Sequence, residues 1–522
     1  MATRRVSTGA AVAAAGLAWL VVLADPSHAQ SPTSMQVAQQ ENITTSAASG
    51  VRQADREVRQ KKPSKPRDFK ARSGAGKLEL TWEKPSRGGK VTYEERHCLK
   101  SKSNWSTVKR TSSQSMTVKG LRKGEYKFKI RASNAKGPGD WTKLTARSYK
   151  PTLPVVAIAT KGRKAVKSKD EYLDASMKIK PNGTNTKKII GDLEIRGRGN
   201  YTWTRPKKPY KLKLAEKSKL LGMPASKHWA LLANWADPSQ LRTSAAMFLG
   251  EQTQLAWTPK TRHVEVQLNG KYLGLYQLAE TVRIEENRVN IDEMSPSDTD
   301  PTAITGGYLL EQDGRRELNQ EFGFASTLGQ DIVVKNPEPD AKDGISEQDL
   351  EPQLSYIRDY VNAFEASLPS GYAQYIDTRS FIDWYLVEEM VRNPDSDFAS
   401  NFMYKPRSRL LFAGPLWDFD IAVAQRESER NTTGWYLRDK SPWYSQLFTS
   451  PAFASDAGKA WAEAAPGFRK VGPHLKKIDA EIKQARKSNT QRWPEMKPES
   501  TDRVDFLTQW LNERTDWMGS NL

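Results

Sequence analysis

NPDSDFASNFMYKPRSRLLFAGPLWDFDIA, residues 393–422, sets Asp395, Asp397 and Asn401 ahead of an apolar hairpin and Asp418 and Asp420 behind it. The preceding residues, Ser380–Arg392, carry a helical apolar period. The stretch therefore reads as helix, acidic loop, strand FMYK, turn at Pro406–Ser408, strand LLFAGPLW and a second acidic cluster. A hairpin pinned by apolar side chains can bring Asp395 and Asp418, 23 positions apart (418 − 395), to the mouth of one cleft. Asp397 and Asp420 are also 23 apart (420 − 397), so the pairing can shift by two residues. Hard oxygen donors with one oriented carboxylate are what phosphoryl transfer requires, because that chemistry is mostly positioning and charge neutralisation.

Helix, aspartate loop with asparagine, hairpin, aspartate is also the order in the helical lobe of protein kinases, where the parts serve as base and magnesium ligands. Seven blocks extend the likeness: RGRGNYTW, PKKPYKLKL, LLGMPASKHWALLANWADPSQLR, VEVQLNGKYLGLYQLAE, GGYLLEQD and GPLWDFD, with the aspartate loop itself. From about residue 153 to the C-terminus the chain resembles the spore-coat protein H (CotH) kinase family. That resemblance implies an α+β, bilobal, divergent protein-kinase-like domain using ATP with Mg²⁺ or Mn²⁺. It implies transfer of the γ-phosphate to Ser/Thr of secreted or surface proteins. It also implies a catalytic-base role for Asp395 and metal-ligand roles for Asp418 and Asn401, with Asp420 auxiliary. Asn401 stands six positions beyond Asp395, where ordinary kinases use five.

Phosphates need cations. Arg196-Gly197-Arg198-Gly199-Asn200 offers a glycine turn flanked by guanidinium groups, which suit phosphate oxygens. On Tyr210-Lys211-Leu212-Lys213-Leu214, alternation puts both lysines on one face, and residue order alone does not choose between them. Glu251 and Glu280 are candidate partners for the active lysine, and Glu311 and Asp313 fall near the expected junction of the lobes. The expected strand-rich lobe runs over about 153–313, with strands VVAIA, ASMKIK, DLEIRGRGNYTW and KKPYKLKL. A helix is expected to start at Asp237-Pro238. The helical lobe is expected over about 345–522.

Upstream, short alternating runs (KLELTW, VTYEER, MTVKGL, EYKFKIRASN) predict a β-sandwich over 64–150. Trp82, Leu121, Tyr126 and Trp141 stand where a fibronectin type III domain keeps its tryptophans and its corner tyrosine, and the segment resembles that family. MATRR, the apolar run after it and Ser27-His28-Ala29 predict an export signal over 1–29. Residues 30–63, rich in Gln, Ser, Thr and Ala, predict a disordered linker. A secreted or cell-surface location follows, with no transmembrane anchor after signal cleavage.

The lone Cys98 excludes an intrachain disulfide, and His97, His228, His263 and His474 lack zinc-ligand spacing. A net charge of +20 on 522 residues favours anionic partners: ATP, an exported or surface protein substrate, an anionic cell-wall polymer. No specific nucleic-acid partner is expected. Two other readings use the same residues. The kinase-like fold can serve as the scaffold of a non-catalytic adhesion protein. Asp395 and Asp418 can act as the acid/base pair of a polysaccharide hydrolase if their carboxyls stand about 5–9.5 Å apart.

Overall fold

The computed structural model describes residues 61–522 apart from 75–76, 150 and 181–188. The expected export signal and nearly all of the expected linker lie outside the described residues.

The first region is a β-sandwich. β1 (Arg67–Gly74), β2 (Lys77–Glu83) and β5 (Ser115–Lys119) form one sheet in the order β1-β2-β5. β4 (Lys109–Thr111), β3 (Thr92–Leu99), β6 (Gly124–Asn134) and the two-residue β7 (Gly137–Pro138) form the other, with β8 (Thr142–Ser148) also on β6. Trp82 is buried between the sheets, edge-on to Tyr93 with ring centroids 5.2 Å apart. Trp141, expected within the last strand, lies just before it. The Tyr126 hydroxyl accepts the Arg122 backbone N–H at 3.0 Å, closing the turn before β6. Tyr126→Phe removes that acceptor and is expected to lower stability by about 1–2 kcal/mol in urea unfolding.

Seven strands follow: β9 (Val155–Thr160), β10 (Leu173–Lys180), β11 (Ile189–Gly197), β12 (Tyr210–Leu220), β13 (Met223–Leu232), β14 (Thr261–Leu268) and β15 (Lys271–Glu280). They close into a barrel in the order β10-β11-β12-β13-β15-β14-β9. All neighbours are antiparallel except β14 and β9, whose parallel pairing of Glu265–Leu268 with Val155–Ile158 shuts the ring. Alternation points Ile195, Tyr210, Leu212, Leu214, Trp229 and Leu231 inward to fill it. β11 stops at Gly197, and Tyr201–Thr204 form a short helix, α1, where a continuing strand is expected. A Cβ at Gly197 would meet the Trp203 indole at 2.4 Å, so only glycine admits this close turn.

The helix between β13 and β14, α2 (Arg242–Gly250), begins four residues later than expected. Asp237 is not its N-cap; the Asp237 carboxylate accepts from the Arg242 N–H at 3.0 Å and pairs with the Arg242 guanidinium at 2.7 Å. The strands do not end at residue 313. β16 (Tyr308–Gln312) opens a second sheet, joined by β17 (Gly323–Ala325), β18 (Asp331–Asn336), β19 (Asn401–Lys405) and β20 (Phe412–Ala413) in the order β17-β18-β16-β19-β20. LLFAGPLW contributes only two residues to it. Against this sheet pack α3 (Glu351–Ser367) and α4 (Thr378–Val391), followed by α5 (Pro451–Phe468), α6 (Val471–Arg492) and α7 (Val504–Asn521). Among the described residues no helix is long and apolar enough to cross a membrane.

The sandwich meets the barrel and α6 through polar contacts. Arg492 at the end of α6 pairs with Glu79 of β2 at 2.8 Å, and Lys77 donates to the Gly270 carbonyl. Tyr149 and Tyr272 donate to Glu265 at 3.0 and 2.5 Å. Burial pushes the Glu265 carboxyl up from 4.5 to about 7, although both tyrosine hydroxyls favour its charge. The fold thus prefers the protonated acid, and this group's contribution to stability is present below pH 4.5 and is lost as pH rises towards 7. The stability gain of Glu265→Gln over wild type is expected to grow by roughly 3 kcal/mol across that window, read from urea midpoints at pH 5 and pH 8.

Candidate active site

α4 starts at Asp377, whose carboxylate caps the Ser380 N–H, and ends at Arg392 in the left-handed region (φ 44°). That reversal throws the chain into the loop carrying Asp395. The loop is held from within: Phe398 and Ala399 N–H groups donate to the Asp395 carbonyl at 2.9 and 2.8 Å. Asn401 donates its amide to the Ser396 backbone carbonyl at 2.9 Å and more weakly to the Asp395 backbone carbonyl and the Gln312 side-chain Oε1. The Gly314 N–H donates to Phe398 O at 2.7 Å and ties the loop to the end of β16.

On the far side of the hairpin, Leu416 and Phe419 are fully buried and Trp417 nearly so. Anchoring on both sides forces Asp418 outward: its side chain is exposed and its backbone is left-handed, φ 64°. An aspartate tolerates that conformation better than most residues, and such outliers cluster at functional sites.

Asp395, Asp418 and Asp420 line one cavity of about 610 Å³ together with Arg198, Gly199 and Asn200 of the turn after β11. Burial and then the Asp418 charge push the Asp395 carboxyl up to about 6, against Arg426 and Arg315. Burial, then Asp418, Asp237 and Asp395, push Asp420 well above the carboxylate range. Arg198 stacks on Trp417, 5.2 Å from its centroid, within the field of Asp418, Glu311 and Asp420. Three carboxylates lining one cavity form a hard, anionic donor set of the kind a divalent cation neutralises. Among the described residues no three His, Cys, Asp or Glu side chains stand close enough to hold a metal alone. Mg²⁺ does not require such a cage, being bound by one or two carboxylates with phosphate oxygens and water.

The remaining expected residues separate. Asp397 lies off this cavity and faces Lys440, which favours the Asp395/Asp418 register. Asn401 lines a different pocket, its amide spent on loop carbonyls. Asn200 accepts from Lys169 at 3.0 Å and stays at the cavity wall. Lys213 pairs with Glu194 at 3.0 Å on the outer barrel face, away from the cavity. Lys211, opposite Arg196 in the β11–β12 ladder, is pushed down to about 8 by burial, Arg196, Arg283 and Arg198, with Glu338 opposing. Arg196 lies over Tyr172, and its Nε is buried without a partner, as is that of Arg283. The expected lysine partners do not meet it. Glu280 accepts the Lys260 N–H at 2.9 Å, and Glu251 lines a separate cavity with His263. Glu311 stands 3.7 Å from Lys335 and is pushed up to about 7 by burial, while Asp313 is paired with Arg315 at 2.7 Å.

Sequence reading missed Arg315 and Arg426, two cations in the cavity wall beside Asp395. The signal for Arg315 was present, since it lies two residues beyond the GGYLLEQD block; Arg426 follows the acidic cluster with no motif of its own.

The CotH kinase protein family matches residues 195–518, and the fibronectin type III domain family matches residues 64–147. No curated protein matches the chain. Among solved structures, domains d3-d4 of the rat CD45 extracellular region share 17% identity over 17% of this chain and 51% of that one, at a TM-score of 0.16. FN3tt shares 24% identity over 17% of this chain and 97% of that one, at 0.15. A stretch of titin domains shares 25% identity over 17% and 31%, also at 0.15. TM-scores this low carry no argument about the whole fold. With 324 of 522 residues matched (518 − 195 + 1), the chain belongs to the CotH kinase protein family and carries a fibronectin type III domain ahead of that match.

Proposed function

We propose that the protein is an exported, metal-dependent phosphotransferase with a bilobal, protein-kinase-like catalytic domain, acting on Ser or Thr of secreted or cell-surface proteins with ATP as donor. One observation carries the reading: Asp395 and Asp418, from the two ends of the hairpin, share a cavity with Arg198. In this reading the cations of the β11–β12 side, Arg198 with Lys211 and Arg196, draw in the triphosphate. Asp418, with Asp420 beside it, holds Mg²⁺ or Mn²⁺, which when bound neutralises phosphate charge. Asp395 accepts the proton of the incoming hydroxyl as the new oxygen–phosphorus bond forms and the bond from the γ-phosphorus to the departing ADP oxygen breaks. Its raised basicity suits that task. Asn401 is a positioning residue that keeps the Asp395 loop in place.

Calorimetry with ATP and Mg²⁺ tests the reading. Saturable binding that requires the cation is expected. Absence of nucleotide binding would favour the adhesion reading, with the kinase-like fold as scaffold.

A further inference from the structure

The outer face of the sandwich sheet built on β3, β6 and β8 carries charges that no carboxylate among the described residues pairs with. Arg96 stands opposite Lys129, and Lys129 opposite Lys143, so three cations form a row across three strands on one face. Exposed Lys127 stands one row along, opposite Cys98 and Thr145. Like charges directly opposite one another destabilise a sheet. Among the described residues, none of the three has a carboxylate within ion-pair distance. Glu94 is taken up by Arg110 and Arg131 at 3.0 and 2.7 Å, and Glu125 by Lys100 at 3.0 Å. The Arg96 Nε is buried without a hydrogen-bond partner.

Two half-buried indoles hold Lys129, the middle of the row. The Lys129 Nζ lies 4.1 Å from the Trp105 ring centroid and 4.8 Å from that of Trp141, and Arg131 lies 4.5 Å from Trp141. The clamp holds a long flexible side chain in one place, reducing the ordering entropy a ligand would otherwise have to offset. With strands about 4.8 Å apart, the row presents three positive charges over about 10 Å, a spacing for a ligand that repeats its negative charge along a chain.

We propose that this face, centred on Arg96, Lys129 and Lys143, binds an acidic polysaccharide, whose repeated sugar carboxylates pair with the row. Single-stranded nucleic acid fits less well. Its non-specific affinity depends on open aromatic faces for base stacking, and here cations already occupy indole faces. The site lies within residues 64–147, on elements that contribute nothing to the Asp395 cavity. The proposal therefore stands or falls independently of the phosphotransferase reading.

The test uses the full chain and equilibrium binding to polygalacturonate, with dextran as neutral polymer and a single-stranded oligothymidylate as competing polyanion. Because the protein carries +20 overall, a charge-matched control is needed. Arg96→Gln/Lys129→Gln/Lys143→Gln is compared with Lys178→Gln/Lys217→Gln/Lys219→Gln, which removes three exposed barrel charges. The wild type and the barrel variant are expected to bind polygalacturonate alike, the sandwich variant about tenfold or more weaker, and dextran not at all. All three should be fully folded under the assay conditions and keep the same phosphate transfer. Equal polygalacturonate affinity in the two variants, or no preference for polygalacturonate over dextran in the wild type, overturns the proposal. Tighter binding of the oligonucleotide through the same three residues also overturns it and assigns the face to nucleic acid.

Discussion

Asp418→Asn and Asp395→Asn proteins are expected to lose phosphate transfer by roughly 10³-fold or more while staying folded, Asp395→Asn at a denaturant midpoint no lower than wild type, because burial and Asp418 already disfavour the Asp395 charge. The exposed Asp418 side chain contributes little to packing, since Leu416 and Phe419 hold the segment from either side. Asparagine is the informative replacement because it tolerates the left-handed backbone at φ 64° and preserves the shape of the side chain. The two variants should differ in a second readout. Loss of Asp418 removes a hard anionic ligand and should weaken Mn²⁺ binding measured by calorimetry. Loss of Asp395 removes the proton acceptor and should leave cation and nucleotide binding close to wild type. Normal transfer by either variant would contradict the roles proposed for the pair.

Arg242→Met is expected to cost about 3–5 kcal/mol of stability, the range for removing one partner of a buried ion cluster. Arg242 is buried at the start of α2 and reaches Asp237 and Asp502, each at 2.7 Å, and the carbonyls of Val423 and Thr501 at 3.3 and 3.2 Å. One side chain thus joins the turn after β13, the segment following Asp418–Asp420 and the loop before α7. Without it two buried carboxylates face each other unpaired. Arg242→Met/Asp502→Asn should recover part of the loss, because one of the stranded charges is gone. Asp237 also bears on Asp420, so the single variant should lose phosphate transfer beyond its unfolded fraction. Urea unfolding, with activity assayed far below the midpoint, separates the two effects.

The elements legible in the sequence are those whose causes are local. Alternation in Tyr210–Leu214 specified β12 and the inward placement of Tyr210, Leu212 and Leu214. The apolar period of α4, the acidic loop and the buried Leu416-x-x-Phe419 pair placed Asp395 and Asp418 at one cavity. Barrel closure was not legible, because β9 finds its parallel partner β14 more than a hundred residues away and nothing in either strand specifies the other. The same gap separates the two lysines of β12. They share a face, but Lys213 meets Glu194 across the ladder while Lys211 meets Arg196, and that register belongs to the pair of strands. The strand expected through Tyr201–Trp203 failed because Gly199 turns the chain at φ 75° and the following residues coil. Asn401 was assigned by its place in the kinase order, six residues beyond Asp395. The structure engages its amide with the loop it was expected to stand beside.

The most direct test of the central claim is a crystal structure with Mn²⁺ and a non-hydrolysable ATP analogue, with the cation located by its anomalous scattering. The account predicts one strong peak in the cavity shared by Asp395, Asp418 and Asp420, against the Asp418 carboxylate, with the triphosphate running towards Arg198 and Lys211. A cation and nucleotide bound elsewhere on the protein, with Asp418 making no contact to either, would contradict it.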